Sequence, residues 1–138
     1  MDEIDSRIVS LLRKNSRSTN SEIGKIVGLG EGAIRKGISA LLISGEIKRF
    51  TLESKSDLKN ISALVFISVE ENVPTDKIAK QVLSLEGAKE VFEITGEYDV
   101  CAFVTSEDIE KVNSIIDKIR NLKHVLDTKT QIILKRWG

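Results

Sequence analysis

In the first third of the chain, apolar residues recur with the period of a helix. Further on they alternate as strands do, interrupted by two more helical stripes. Ile4, Ile8, Leu11 and Leu12 make one face of a helix running from about Asp2 to Lys14. Asp2, Glu3 and Asp5 lie in its first turn and Arg13 and Lys14 in its last, as the helix dipole favours. After the polar connector 15–18, Thr19-Asn20-Ser21-Glu22 has the spacing of a capping box, which opens a short helix to Val27. Ile23, Ile26 and Val27 form its apolar side. Gly28-Leu29-Gly30 is a turn, and a third helix spans about Glu31 to Ser44. Its stripe is Ile34, Ile38, Leu41 and Leu42, its polar side Arg35, Lys36 and Ser39, and Gly45 suits its stop. Ile47 to Leu52 reads as an extended exit strand, and Glu53 to Asn60 as a polar hinge.

The second half alternates from the start. Ile61, Ala63, Val65, Ile67 and Val69 make one face of a strand, while Leu64 and Phe66 make the other face apolar too. Pro74 suits the first turn of a helix carrying Ile78, Val82 and Leu85, with Gly87 ending it. Val91 to Thr95 and Tyr98 to Thr105 are two strands about a Gly96-Glu97 turn. Ser106 can cap a helix with the stripe Ile109, Val112, Ile116 and Ile119, and a last strand runs from about Val125 to Lys135.

The predicted class is therefore α+β, in two domains. Residues 1–50 form a helix-turn-helix, winged-helix-like domain, 51–60 a linker, and 61–138 a ferredoxin-like β-α-β-β-α-β domain. A sheet with both helices on one side needs only one apolar face. Here Leu64, Phe66, Phe92, Ile94, Phe103 and Ile133 compete with Val65, Ile67, Val91, Val100 and Val104 for burial. The face without helices is thus expected to be covered by another subunit.

Charge sharpens this division. The chain is neutral, with 21 basic and 21 acidic residues, but residues 1–60 hold 11 basic against 8 acidic, and residues 61–138 hold 10 against 13. The basic half is the one with the helix-turn-helix pattern. One cysteine excludes an internal disulfide, and one histidine beside it makes no usual zinc site, so neither metal nor cofactor is expected. The apolar runs are too short to span a bilayer and the N-terminus lacks a secretory pattern, so a cytoplasmic protein without a membrane partner is expected. No nucleophile–base pair or phosphate loop suggests an enzyme.

Arg35 and Lys36 lie off the stripe near the start of the third helix, where a recognition helix meets base edges, with Ser39 on the same side. Thr19, Asn20 and Ser21 open the second helix and offer amides and hydroxyls to phosphate. Lys48 and Arg49 can follow the backbone at the edge. A solvated helix face and a helix cap are the plainer account of the same residues. In the second half, Gly96 permits close approach, Tyr98 offers an apolar wall with a hydroxyl, and Asp99 can accept an ammonium group. Thr128 and Thr130, two apart on one strand, project from one face. The plainer account is a tight turn, a packing tyrosine and two β-favouring threonines. Cys101 reads as a small core or interface residue, His124 as a surface residue, and Trp137 as an interface residue or a cover for the sheet end.

The whole chain resembles the Lrp/AsnC, or feast/famine, family of bacterial and archaeal transcription regulators. The likeness rests on Asp2-Glu3-Ile4-Asp5, Glu22-Ile23-Gly24, Gly28-Leu29, Ile34-Arg35-Lys36-Gly37-Ile38 and Gly45-Glu46-Ile47-Lys48-Arg49-Phe50. In the second half it rests on Glu86-Gly87-Ala88, Thr95-Gly96-Glu97-Tyr98-Asp99-Val100 and Thr128-Lys129-Thr130-Gln131-Ile132-Ile133-Leu134. The resemblance implies a head that binds double-stranded operator DNA and a sheet domain that dimerises. It also implies dimers assembling into higher oligomers, often octamers, with an amino acid bound between dimers. The short chain and its ending look most like archaeal members that control amino-acid biosynthesis genes. Asp99, Glu97 and Asp127 make lysine a conceivable effector. An amino-acid-sensing oligomerisation module without specific DNA binding is the alternative. It gains from Gly30, Gly32, Ala33 and Gly37, which stand where recognition helices of the family usually carry Ser, Thr or Arg. Each glycine held in a helix costs about 1 kcal/mol relative to Ala.

Overall fold

The computed structural model describes residues 1–55 and 59–138 and divides into two compact units, Met1–Glu53 and Ser54–Gly138. The linker expected over 51–60 straddles that division, and its residues 56–58 lie outside the described residues.

The first unit consists of α1 (Glu3–Lys14), α2 (Asn20–Val27) and α3 (Glu31–Ser44). Asp2 caps α1, its carboxylate accepting from the Asp5 amide at 2.7 Å. At α2 the capping box is complete: the Glu22 amide donates to Thr19 Oγ1 at 3.1 Å, and the Thr19 amide donates to the Glu22 carboxylate at 3.3 Å. α2 stops at Gly28, whose φ of 82° is left-handed. The amides of Gly28 and Leu29 both donate to the Gly24 carbonyl, at 2.8 and 2.9 Å. That return brings the turn so close that a Cβ on Gly24 would collide with the Leu29 carbonyl oxygen. Arg7 donates to the Ile26 carbonyl at 3.1 Å and sets a cation at the C-terminus of α2.

Ile8, Leu12, Ile23, Ile34 and Leu41 form the buried core of this unit. Burying each such side chain stabilises the fold by about 1.5–3 kcal/mol. Three residues assigned to the apolar stripes of this unit are exposed instead, Ile4 at 39%, Ile26 at 56% and Leu42 at 41%. Ile23 and Gly24 occupy the narrow buried strip of the short α2, and Leu41 takes the core position at the end of α3. The exit strand expected over Ile47 to Leu52 does not form. The Ile47 amide donates to the Leu41 carbonyl at 3.0 Å, and the residues after it have no ladder partner in a unit made only of helices.

The second unit is β1 (Ile61–Val69), α4 (Thr75–Leu83), β2 (Ala88–Glu93), β3 (Val100–Ser106), α5 (Ile109–Arg120) and β4 (Val125–Ile132). Its sheet has the order β2-β3-β1-β4, antiparallel throughout. Ala63, Val65, Ile67 and Val69 join Val100, Ala102 and Val104 in a core with Ile78 and Val82 of α4 and Val112, Ile115, Ile116 and Ile119 of α5. The register sets Phe66 opposite Cys101, Cys101 opposite Phe92, and Leu64 opposite Phe103, so these side chains share the other face.

Several ends differ from expectation. β3 begins at Val100, because residues 94–99 form a loop closed by the Ile94 amide donating to the Asp99 carbonyl at 2.9 Å. Ser106 remains in β3 opposite Ile61, and the cap of α5 is Asp108, whose carboxylate accepts from the Lys111 amide at 2.8 Å. α4 ends at Leu83, with Ser84 as its cap, rather than at Gly87. Gly87 has φ 95° and its carbonyl accepts from the Thr105 amide at 2.9 Å. β4 stops at Ile132, three residues short of Lys135, the last residue it pairs with β1 being Ile132 opposite Ala63.

Candidate functional site

α3 buries Ile34 and Leu41 and leaves Arg35, Lys36 and Ser39 exposed. Its outer face thus offers a guanidinium, an ammonium and a hydroxyl over little more than one turn, the arrangement that reads acceptors in a major groove. Arg35 is not solitary: its guanidinium lies 3.6 Å from the carboxylate of Glu31, one turn earlier, and both side chains are exposed. The residue reading did not single out Glu31, although an i, i+4 spacing signals the pair. At the start of α2, Ser21 is exposed, Asn20 half-buried, and Thr19 committed to its capping box as an acceptor, leaving its hydroxyl proton to donate.

Lys48 and Arg49 are exposed and line a different surface. They share a cleft of about 810 Å³ with Arg13, Lys14 and Arg17, walled by Phe50 and Leu52, to which no residue of α3 contributes. The cations at the end of α1 were read only as helix-dipole partners. The fold adds them to a patch that includes Lys48 and Arg49.

In the second unit, Gly96 has φ 110° with open space around it. Tyr98 packs on Phe66, ring centroids 5.8 Å apart and planes inclined at 51°, on the sheet face away from the helices. Desolvation, then the charges of Glu97 and Asp127, push the Tyr98 hydroxyl above its usual pKa, so aromatic and acidic groups meet there. Asp99 is tied into the sheet: its amide donates to the Ile67 carbonyl at 2.9 Å, and its carboxylate accepts from the Val69 amide at 2.8 Å.

Thr128 and Thr130 pair with Ile67 and Val65, and so lie on the helix-facing side. Thr128 Oγ1 accepts from Arg120 Nε at 3.1 Å, while Thr130 Oγ1 is enclosed and has no hydrogen-bond partner. One chain therefore does not gather the five predicted effector residues: Tyr98 and the threonines occupy opposite faces of the sheet. Arg120, missed in the sequence reading, adds a cation beside Thr128. Its place in the last turn of α5, eight residues before Thr128, was the available signal.

Three other residues fall out simply. Cys101 is buried, and burial raises its thiol pKa. His124 is half-buried and partnered rather than free at the surface, its Nδ1 lying 2.8 Å from a Glu70 carboxylate oxygen. Trp137 is 82% exposed, with the Lys135 ammonium 4.4 Å from the ring centroid. Among the described residues no cluster of potential metal ligands occurs, and no helix is long and apolar enough to cross a membrane.

Comparison with known proteins agrees with this division into two units. Residues 1–42 match the AsnC-type helix-turn-helix domain, and residues 62–137 the Lrp/AsnC ligand binding domain. The chain is 37% identical over 137 residues to the HTH-type transcriptional regulator LysM of Sulfurisphaera tokodaii, covering 99% of this chain and 97% of the relative. It is 35% identical over 136 residues to the regulator FL11 of Pyrococcus abyssi, covering 98% and 90%. A Neisseria meningitidis transcriptional regulator, solved as its L-Met complex, shares the fold with a TM-score of 0.80 at 21% identity, over 100% of this chain and 92% of that one. A 78-residue stretch is also 38% identical to 17% of the homocitrate synthase of Sulfolobus acidocaldarius, a match to a small part of that enzyme. The chain belongs to the Lrp/AsnC family of HTH-type, DNA-binding transcriptional regulators.

Proposed function

We propose that this regulator binds an operator as a symmetric oligomer and that a free amino acid tunes its oligomer and its DNA affinity. The observation that carries the reading is the outward row Arg35, Lys36 and Ser39 on a helix held by a complete helix-turn-helix. Arg35 and Lys36 read bases, while Thr19, Asn20, Ser21, Lys48 and Arg49 position the head on phosphates. A single head with so few cations binds weakly, and two heads joined through their sheets span half-sites about one DNA turn apart. The sheet face bearing Leu64, Phe66, Phe92 and Phe103 supplies the apolar surface for that pairing.

The effector reading centres on the turn Gly96–Asp99. Tyr98 with Glu97 and Asp127 provides an aromatic wall and negative charge, which suits a cationic amino acid, and lysine is the effector we favour. Asp99 retains a second carboxylate oxygen for the ligand's ammonium group. Within one chain Thr128 and Thr130 face the opposite side of the sheet, and Thr130 Oγ1 is enclosed there, so of the two only the Thr128 hydroxyl joins the site, from another protomer. That geometry favours binding between dimers and an assembly larger than two, an octamer in our reading. The Neisseria regulator solved with L-Met favours a free amino acid as the class of effector. The protein acts in the cytoplasm and catalyses no reaction.

The test is a gel shift and footprint on the DNA upstream of its own gene, with and without each amino acid. The reading expects a protected inverted repeat whose occupancy changes with lysine and not with acidic amino acids. A footprint indifferent to every amino acid would remove the effector.

A further inference from the structure

The first turn of α3 carries almost no side-chain chemistry. Gly30 is its cap without a side-chain hydrogen bond, and Gly32 and Ala33 follow Glu31. A Cβ at Gly30 or Gly32 would meet nothing within 4 Å, so these glycines fill no packing need inside the head. Glu31 is thus the one functional group ahead of Arg35, exposed and 3.6 Å from its guanidinium. A carboxylate there opposes the general attraction of the head for phosphates, and an exposed i, i+4 ion pair contributes little to stability.

We infer that Glu31 reads a base, an inference that rests on the operator-binding reading above. Its carboxylate accepts the N4 amino group of a cytosine in the major groove and holds Arg35 against the acceptors of a guanine beside it. Cytosine is the fitting partner because its groove edge presents a donor without an adjacent acceptor, whereas adenine sets N7 beside its amino group. Each half-site of the operator then contains a C·G pair at the position under the first turn of α3. A role limited to favouring the helix dipole would leave base preference unmoved.

Selection of bound duplexes from a random library, using the full-length protein and its Glu31→Gln and Glu31→Ala variants, tests this. The native protein should enrich a repeat with cytosine at one position per half-site. Glu31→Ala should flatten that position alone, from roughly tenfold discrimination or more to about onefold. Glu31→Gln should turn the position toward adenine, since a glutamine amide pairs with adenine N6 and N7. If both variants enrich the native motif unchanged, Glu31 reads nothing and the inference fails while operator binding stands. If the native protein enriches no motif, sequence-specific binding fails and the inference with it.

Discussion

The carboxylate of Asp99 accepts the amide of Val69 at 2.8 Å and so pins the 94–99 loop to the end of β1. An amino acid bound at this turn meets a loop already fixed in place. Asp99→Ala should leave the Val69 amide without its acceptor and cost about 1–3 kcal/mol, read as a lower denaturant midpoint. Asp99→Asn keeps an acceptor oxygen and should cost less. An unchanged midpoint in both would mean that the carboxylate serves a ligand alone.

Two glycines of the head should answer the same substitution with opposite signs. Gly24→Ala forces a Cβ against the Leu29 carbonyl oxygen, so the turn must open. It should lower the melting temperature and weaken DNA binding. Gly32→Ala meets open space within a helix and should stabilise the head by about 1 kcal/mol. Thermal unfolding of the two variants decides this, and a destabilising Gly32→Ala would overturn the description of α3.

Cys101 lies buried in the sheet, and burial raises its pKa above the ordinary value. The thiol should resist modification in the native protein and react once denaturant is added. The sign of the pH effect follows from linkage. The unfolded chain loses the thiol proton first, so this contribution to stability is complete below the unfolded pKa and is lost as pH rises through the folded one. Denaturant midpoints of the native protein and Cys101→Ala, compared on either side of about pH 8.5, should diverge in that sense.

Phe66 shares the helix-free face with Leu64, Phe92 and Phe103. Phe66→Lys sets a charge there and should shift the protein toward monomers in analytical ultracentrifugation, with no change in the helical content of the head. A variant as oligomeric as the native protein would mean that subunits pair through another surface.

Local signals were legible wherever the chain alone decides the structure. The Thr19–Glu22 box, the Gly28 and Gly45 stops and the span of β1 need only neighbouring residues, and they stand where the sequence places them. Choices between neighbours were not. Ser106 and Asp108 are both good caps, and the strand pairing of Ser106 with Ile61 decided for Asp108. Ile47 to Leu52 has strand-forming residues but no partner within its unit. The site was legible as a set of residue types rather than as geometry. Alternation in β4 puts Thr128 and Thr130 on one face, yet only the register with Val65 and Ile67 reveals that this is the face opposite Tyr98. The pair of Glu31 with Arg35 was available from spacing alone, but Glu31 gained meaning only once the space around Gly30 and Gly32 proved empty.

The central claim, specific operator recognition by α3, meets its most direct test in a competition experiment. The affinity of the full-length protein for its own upstream DNA is compared with that for random duplex, at about 0.15 M salt. The account predicts a ratio of at least about a thousandfold, lost when Arg35 is replaced by Ala. Equal affinity for both DNAs, or a ratio untouched by Arg35→Ala, would contradict it.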